Sequence, residues 1–255
     1  MSRLKILVTN DDGITAPGIR ALVEVASEFG EVIVVAPDSP QSGQGHALTL
    51  HHPLRLTKVD IFDDILAYQC SGTPVDCVKL AKDIILKDRL ADLCVSGLNH
   101  GSNASLNVIY SGTMSAAMEA SFEGIKSIGF SLVEYSHKAD LEPSKKYIRH
   151  IIKQVLENGM PNTNLLNVNI PDANKGEIKG VKVCRQAKAK WVEEYVERED
   201  PMGGTYYWLT GKFINQDEGE DCDVWALENG YVSVVPVCHD LTDYKALEGM
   251  SKLEL

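Results

Sequence analysis

The sequence predicts an α/β fold, a mostly parallel sheet flanked by helices, and three observations carry that expectation. Residues 5–9 form an apolar, β-branched run that stops at two adjacent carboxylates, Asp11 and Asp12, and at Gly13. A helical periodicity follows over 18–29, with apolar residues at Ile19, Leu22, Val23, Val25, Ala26 and Phe29, and Gly30 ends it. A second buried-strand run, 31–36, completes a strand, helix, strand unit of the kind that winds into a parallel sheet.

The remaining elements follow in order. Residues 47–71 alternate apolar and polar positions, which predicts a hairpin or edge strands. Thr73 as N-cap and Pro74 as first helical residue mark a helix start, and Val75, Val78, Leu80, Ala81, Ile84 and Ile85 form its inner face. Strands are expected at 92–96, 127–132 and 165–170, a small-residue helix at 114–122 and a further helix at 143–156. From about Glu177 the chain turns aromatic and alternating. A β-rich arm too long to bury its own apolar face is expected there, and it would need a partner chain, hence homo-oligomerisation. The expected division is a core over 1–176, a protruding arm over 177–222, and a return strand with a C-terminal oligomerisation segment over 223–255.

Composition narrows the partners. At 255 residues and 44% hydrophobic content the chain is long enough for one large α/β domain. A net charge of −11 supplies no basic stripe for a nucleic-acid polymer. Six cysteines stand without pair spacing, as buried thiols of a cytosolic protein do. No apolar run approaches the ~20 residues that span a bilayer, so no membrane is expected and the expected location is cytoplasmic.

The loop after the first strand carries the chemistry. In open α/β sheets ligands bind beyond the carboxyl ends of the strands. Two carboxylates would repel phosphate there unless a divalent cation, Mg²⁺ or Mn²⁺, lay between them. A plain helix cap explains one aspartate but not the pair. Ser42, in the polar loop after the second strand, and Asn99, between Gly97 and Gly101, are expected at the same sheet edge as neutral oxygen donors. Ser111, Gly112 and Thr113 open a helix, where unpaired N–H groups suit an anion. His46, His100 and His239 are loop candidates for proton transfer. Tyr110 is a candidate for stacking on a base. The acidic run 217–223 reads as a solvated loop.

These segments in this order carry a resemblance. Val8-Thr9-Asn10-Asp11-Asp12-Gly13, Ala36-Pro37-Asp38, Ser42-Gly43-Gln44-Gly45-His46, Ser71-Gly72-Thr73-Pro74, Val95 to Gly101 and Tyr110-Ser111-Gly112-Thr113 resemble the SurE (survival protein E) family of metal-dependent nucleotidases. The likeness extends to Arg185-Gln186 and to Gly230-Tyr231-Val232-Ser233. It implies a Rossmann-like core and hydrolysis of nucleoside 5′-monophosphates, with 3′-monophosphates or short polyphosphate accepted in some members. It implies one divalent cation per subunit on Asp11, Asp12, Ser42 and Asn99, and a homodimer or homotetramer with a protruding hairpin. Gln41 stands where many relatives have a basic residue, and His100 where arginine is frequent; both departures bear on base preference and phosphate affinity.

The resulting expectation is a phosphomonoesterase in which Asp11, Asp12 and Asn99 serve catalysis through the cation and a water attacks phosphorus in line, with an aspartyl-phosphate on Asp11 or Asp12 as the alternative route. Asn10, Gly43, Ser111, Gly112 and Thr113 would hold the remaining phosphate oxygens. A non-catalytic, metal-dependent nucleotide-binding module is the alternative. A dinucleotide-dependent enzyme is disfavoured, because no G-x-G-x-x-G follows the first strand.

Overall fold

The structure, a computed structural model, describes residues 3–136 and 138–253. Strand β1 (Lys5–Thr9) is followed by helix α1 (Pro17–Ser27), β2 (Glu31–Pro37), the antiparallel pair β3 (Leu56–Val59) and β4 (Leu66–Cys70), and helix α2 (Pro74–Leu80). Thr73 caps α2 in a full capping box with Asp76, and Pro74 occupies its first turn, as the sequence predicts. Helix α2 runs on into a π-helical turn, Ala81–Ile85. Strand β5 (Leu93–His100), helices α3 (Asn107–Tyr110) and α4 (Gly112–Phe122), β6 (Lys126–Leu132), α5 (Glu142–Asn158) and β7 (Leu165–Ile170) complete the helix-flanked part. Then come β8 (Gly180–Val183), the hairpin β9 (Ala189–Glu199) and β10 (Thr205–Asn215), α6 (Asp223–Glu228), β11 (Tyr231–Pro236) and α7 (Tyr244–Leu247).

Nine strands form one sheet in the order β3-β4-β2-β1-β5-β6-β7-β11-β8. The six from β4 to β7 are parallel, and β11 turns antiparallel against β7. Period-two alternation sends the apolar side chains of β1 to both faces. Ile6 and Val8 join the cluster containing Ile19 and Leu22 of α1 and Ile148 and Ile152 of α5. Leu7 joins the opposite cluster, with Cys77 and Val78 of α2 and Ala116 and Ala120 of α4. Helix α4 lies close because its residues are small: Gly129 of β6 leaves room for Met114, whose sulfur would stand 2.2 Å from a Cβ at that glycine.

The chain leaves β1 for β2 on one side and later returns to lay β5 on the other. The loops after β1 and β5 therefore flank the point where the strand order reverses, the crevice in which such sheets bind ligands. Of the segment expected as an arm, 177–222, the free-standing hairpin takes Ala189–Asn215, paired along its full length. Gly180–Val183 instead extends the main sheet beside β11. The acidic run 217–223 is a solvated loop only in part: Glu218, Glu220 and Asp221 are exposed, but Asp217 and Asp223 are not free surface charges. Asp217 accepts two hydrogen bonds from the Arg185 guanidinium (2.6 and 2.8 Å), which hold its carboxyl well below the usual range. Asp223 is fully buried, and burial pushes its carboxyl up although it accepts the N–H groups of Ser105, Ala187 and Val224.

Candidate active site

A cavity of about 340 Å³ opens at the switch point. Its wall combines Asp11 from the loop after β1, Ser42 and Gly43 from the loop after β2, Asn99 and His100 at the end of β5, and Ser111 at the head of α4. The three loops that the sequence places at one sheet edge do converge there.

Asp11 is 3% exposed and is held from behind. The Thr113 hydroxyl donates to its Oδ1, and its carbonyl accepts the Gln41 N–H (2.7 Å), which ties the Ser42 loop to the acidic loop. Burial pushes the Asp11 carboxyl up to about 6; the Thr113 hydrogen bond opposes that rise and the neighbouring Asp12 charge adds to it. Asp12 stands beside the β5 loop, where its Oδ2 lies 3.4 Å from both the backbone N–H and Nδ1 of His100. A shift in the β5–β6 register between Ser96 and Asn99 re-aims the end of β5, and the Asn99 amide donates to Gly101 O (2.7 Å).

The remaining predicted residues divide. Gly43 and Ser111 line the cavity, and the Ser111 hydroxyl also caps α4 by accepting the Met114 N–H (3.1 Å). Gly112 packs on Asp11: a Cβ there would stand 2.7 Å from the Asp11 Cβ. Thr113 is fully buried and spends its hydroxyl on Asp11 rather than on the cavity. Asn10 is likewise buried, its amide donating to Gly13 O (2.9 Å). His46 lies outside the lining, on the carboxylate of Glu119 in α4, and His239 packs edge-on against Phe122. Tyr110 lines the cavity.

Trp191, Tyr135 and Asn103 also line it, and sequence reasoning passed them over. The signal available for Trp191 was an aromatic at the start of the arm, which reads as interface. Tyr135 sits in an irregular segment, where only the tertiary fold lays its ring against Gly101.

The donor set fits a hard cation. Among the described residues no three His, Cys, Asp or Glu side chains gather into a metal cluster, so a soft-metal or all-carboxylate cage is not built. What the edge offers is two carboxylates with neutral amide and hydroxyl oxygens, the chemistry of Mg²⁺ or Mn²⁺ with retained waters. Three buried polar atoms at this edge, Thr9 Oγ1, Asn10 Oδ1 and Ser96 Oγ, have no hydrogen-bond partner among the described residues. Such atoms are costly unless the site supplies them with one.

The comparisons with known proteins agree with the geometry. The family model described as Survival protein SurE matches residues 6–193. A protein of Christiangramia forsetii named 5′-nucleotidase SurE is 62% identical over 252 residues, spanning 98% of this chain and 96% of its own. A protein of Flavobacterium psychrophilum with the same name is 57% identical over 256 residues, spanning 100% and 99%. The crystal structure of the SurE protein from Aquifex aeolicus superposes with a TM-score of 0.85 at 42% identity, covering 98% of this chain and 100% of that one.

Proposed function

The chain belongs to the SurE family, and we propose that it is a metal-dependent 5′-nucleotidase, hydrolysing nucleoside 5′-monophosphates to nucleoside and phosphate. The observation that carries this reading is the convergence of Asp11, Ser42 and Asn99 on one cavity beside Asp12, at the switch point of a parallel sheet. A pure binding module has no need of a polar cleft floored by one buried carboxylate, Asp11, with a second, Asp12, beside it.

Asp11, Asp12, Ser42 and Asn99 would hold one divalent cation, Mg²⁺ or Mn²⁺, per subunit. When bound, that ion supplies positive charge against the phosphoryl oxygens and acidifies water beside it. Thr113 fixes the Asp11 carboxylate through its hydrogen bond, so that the ligand is preorganised rather than recruited. Gly43, Ser111 and the N-terminal N–H groups of α4 at Gly112 and Thr113 stabilise phosphate charge as the bond to the leaving oxygen breaks. Asn10 braces the acidic loop by donating to Gly13 O. Asp12, which lies beside His100, would orient the attacking water.

We propose the division into a catalytic core over 1–176, a segment over 177–222 whose free-standing arm is the hairpin Ala189–Asn215, and a C-terminal segment over 223–255. We further propose assembly as a homodimer or homotetramer through the hairpin, and a cytoplasmic location. The hairpin exposes Tyr195, Tyr207, Trp208 and Leu209, each at least 60% exposed, an apolar surface suited to a second copy. The six cysteines, Cys70, Cys77, Cys94, Cys184, Cys222 and Cys238, are all free, in keeping with a reducing compartment. No helix among the described residues is long and apolar enough to cross a membrane.

The test is phosphate release from AMP, GMP, CMP, UMP, 3′-AMP and short polyphosphate by metal-stripped protein, with and without Mg²⁺ or Mn²⁺. Metal-dependent turnover of the 5′-monophosphates, lost in Asp11→Asn, is the expected result. Nucleotide binding without turnover would return the binding-module reading.

A further inference from the structure

We infer that Trp191, carried on the hairpin, is the stacking platform for the substrate's nucleobase, so that the arm sets the preference for nucleotides over base-free phosphate esters. The inference rests on the nucleotidase reading for the identity of the ligand and deepens it.

Trp191 lines the same cavity as Asp11 and Asn99, although it lies 180 residues along the chain from the first of these. Its position there is built rather than incidental. The root of the hairpin is locked to the loop that follows β5 by buried hydrogen bonds: the Ser105 hydroxyl donates to Ala187 O (2.9 Å) and accepts the Ala189 N–H (3.0 Å). Asp223 clamps the same joint by accepting the N–H groups of Ser105 (2.8 Å) and Ala187 (2.9 Å). Two residues beyond that joint, Trp191 packs edge-on against Phe213, its cross-strand neighbour, with ring centroids 6.0 Å apart. That contact fixes the plane of the indole.

Two further aromatic side chains, Tyr110 and Tyr135, line the cavity with 63% exposure each, and Trp191 is 40% exposed. Large aromatic faces round a polar floor suit a ligand with one anionic end and one flat, weakly polar end. The amides nearby are partly committed. Asn103 donates to the Ser131 hydroxyl (2.8 Å) and Asn107 to Ser102 O (3.1 Å). Three aromatic side chains against two part-committed amides make ring faces the main recognition surface at this end, and every base has a ring face.

The test compares AMP with ribose 5-phosphate, the same phosphoester without a base, in wild type, Trp191→Ala and Trp191→Phe, each loaded with Mg²⁺ or Mn²⁺. A lost stacking partner is expected to lower the AMP to ribose 5-phosphate ratio of kcat/KM about ten-fold or more, mostly through KM for AMP, and Trp191→Phe is expected to regain most of it. In parallel, adenosine titrated into metal-free protein is expected to quench tryptophan fluorescence in wild type and not in Trp191→Phe. An unchanged ratio, with both substrates affected alike, would overturn the platform and leave Trp191 as a prop of the hairpin root. If wild type hydrolyses ribose 5-phosphate but not AMP, the nucleotidase reading fails instead. The adenosine titration then decides the platform by itself: equal quenching in wild type and Trp191→Phe rejects it.

Discussion

The imidazole Nε2 of His46 stands 2.9 Å from the carboxylate of Glu119, and that pair ties the loop carrying Ser42 to the middle of helix α4. Burial would push Glu119 up, yet the hydrogen bonds from His46 and from the Lys79 ammonium outweigh it and hold the carboxyl below its ordinary value. Glu119→Gln keeps the shape and removes the charge that both partners need. The expected outcome is a cation affinity about ten-fold weaker, the order found when residues behind a ligand are altered. Calorimetric titration of Mg²⁺ or Mn²⁺ checks it, and an unaltered affinity would mean that the clasp does not position Ser42.

Asp11→Asn has two separable effects. Turnover is expected to fall by at least about 100-fold, because the substitution removes the charge of a proposed cation ligand. Stability without metal moves the other way. The folded chain binds the Asp11 proton more tightly than the unfolded chain, since its carboxyl is raised from 3.8 to about 6. Its contribution is fully present below pH ~4 and is lost as pH rises through about 6. Chelator-treated Asp11→Asn is therefore expected to exceed wild type by up to about 3 kcal/mol at pH 8 and to match it near pH 3.5. Denaturant melts at the two pH values measure the difference; a variant less stable at both would contradict the buried-charge account.

Gly112→Ala places a methyl group 2.7 Å from the Asp11 Cβ and 3.0 Å from its Oδ2. Overpacking of this kind costs about 1–3 kcal/mol. The signature that separates it from an ordinary core defect is a loss of cation affinity greater than that of a comparably destabilised variant remote from the cleft. Alanine is otherwise the better helix former, so a more stable variant would refute the close approach.

Metal removal should soften the fold. A cation at about 100 times its dissociation constant adds about 2.7 kcal/mol, so chelation is expected to lower Tm by roughly 5–10 °C in a chain of this size. Differential scanning fluorimetry with and without Mn²⁺ reads this directly, and Asp11→Asn should lose most of the shift.

Much of this was legible in the sequence, for local reasons. The β1 run, the Asp11-Asp12 loop and the Thr73-Pro74 helix start each declare themselves within a dozen residues, through burial pattern, charge and capping chemistry. Thr113 was less legible, because each helical residue turns about 100° from the last. Ser111 thus meets the cavity while Thr113, two positions on, points inward at Asp11. Asp217 and Asp223 look like surface charge until Arg185 and the N–H groups of Ser105 and Ala187 are brought to them from elsewhere in the chain. Trp191 belongs to the same class: only the Ser105 joint, more than 80 residues earlier, gives it a place in the cleft.

Strand β1 is made before the other strands of its sheet, yet it lies in the sheet's interior, with β2 on one side and β5 on the other. At about 5–20 residues per second, β5 follows on the order of 5–20 s later. Throughout that interval one edge of Ile6, Leu7 and Val8 stays open, an apolar template for mispairing that a holding chaperone would cover. The cleft is later still. It needs the loops after β1, β2 and β5 together with Trp191, so no nascent chain that stops short of Trp191 assembles the whole of it.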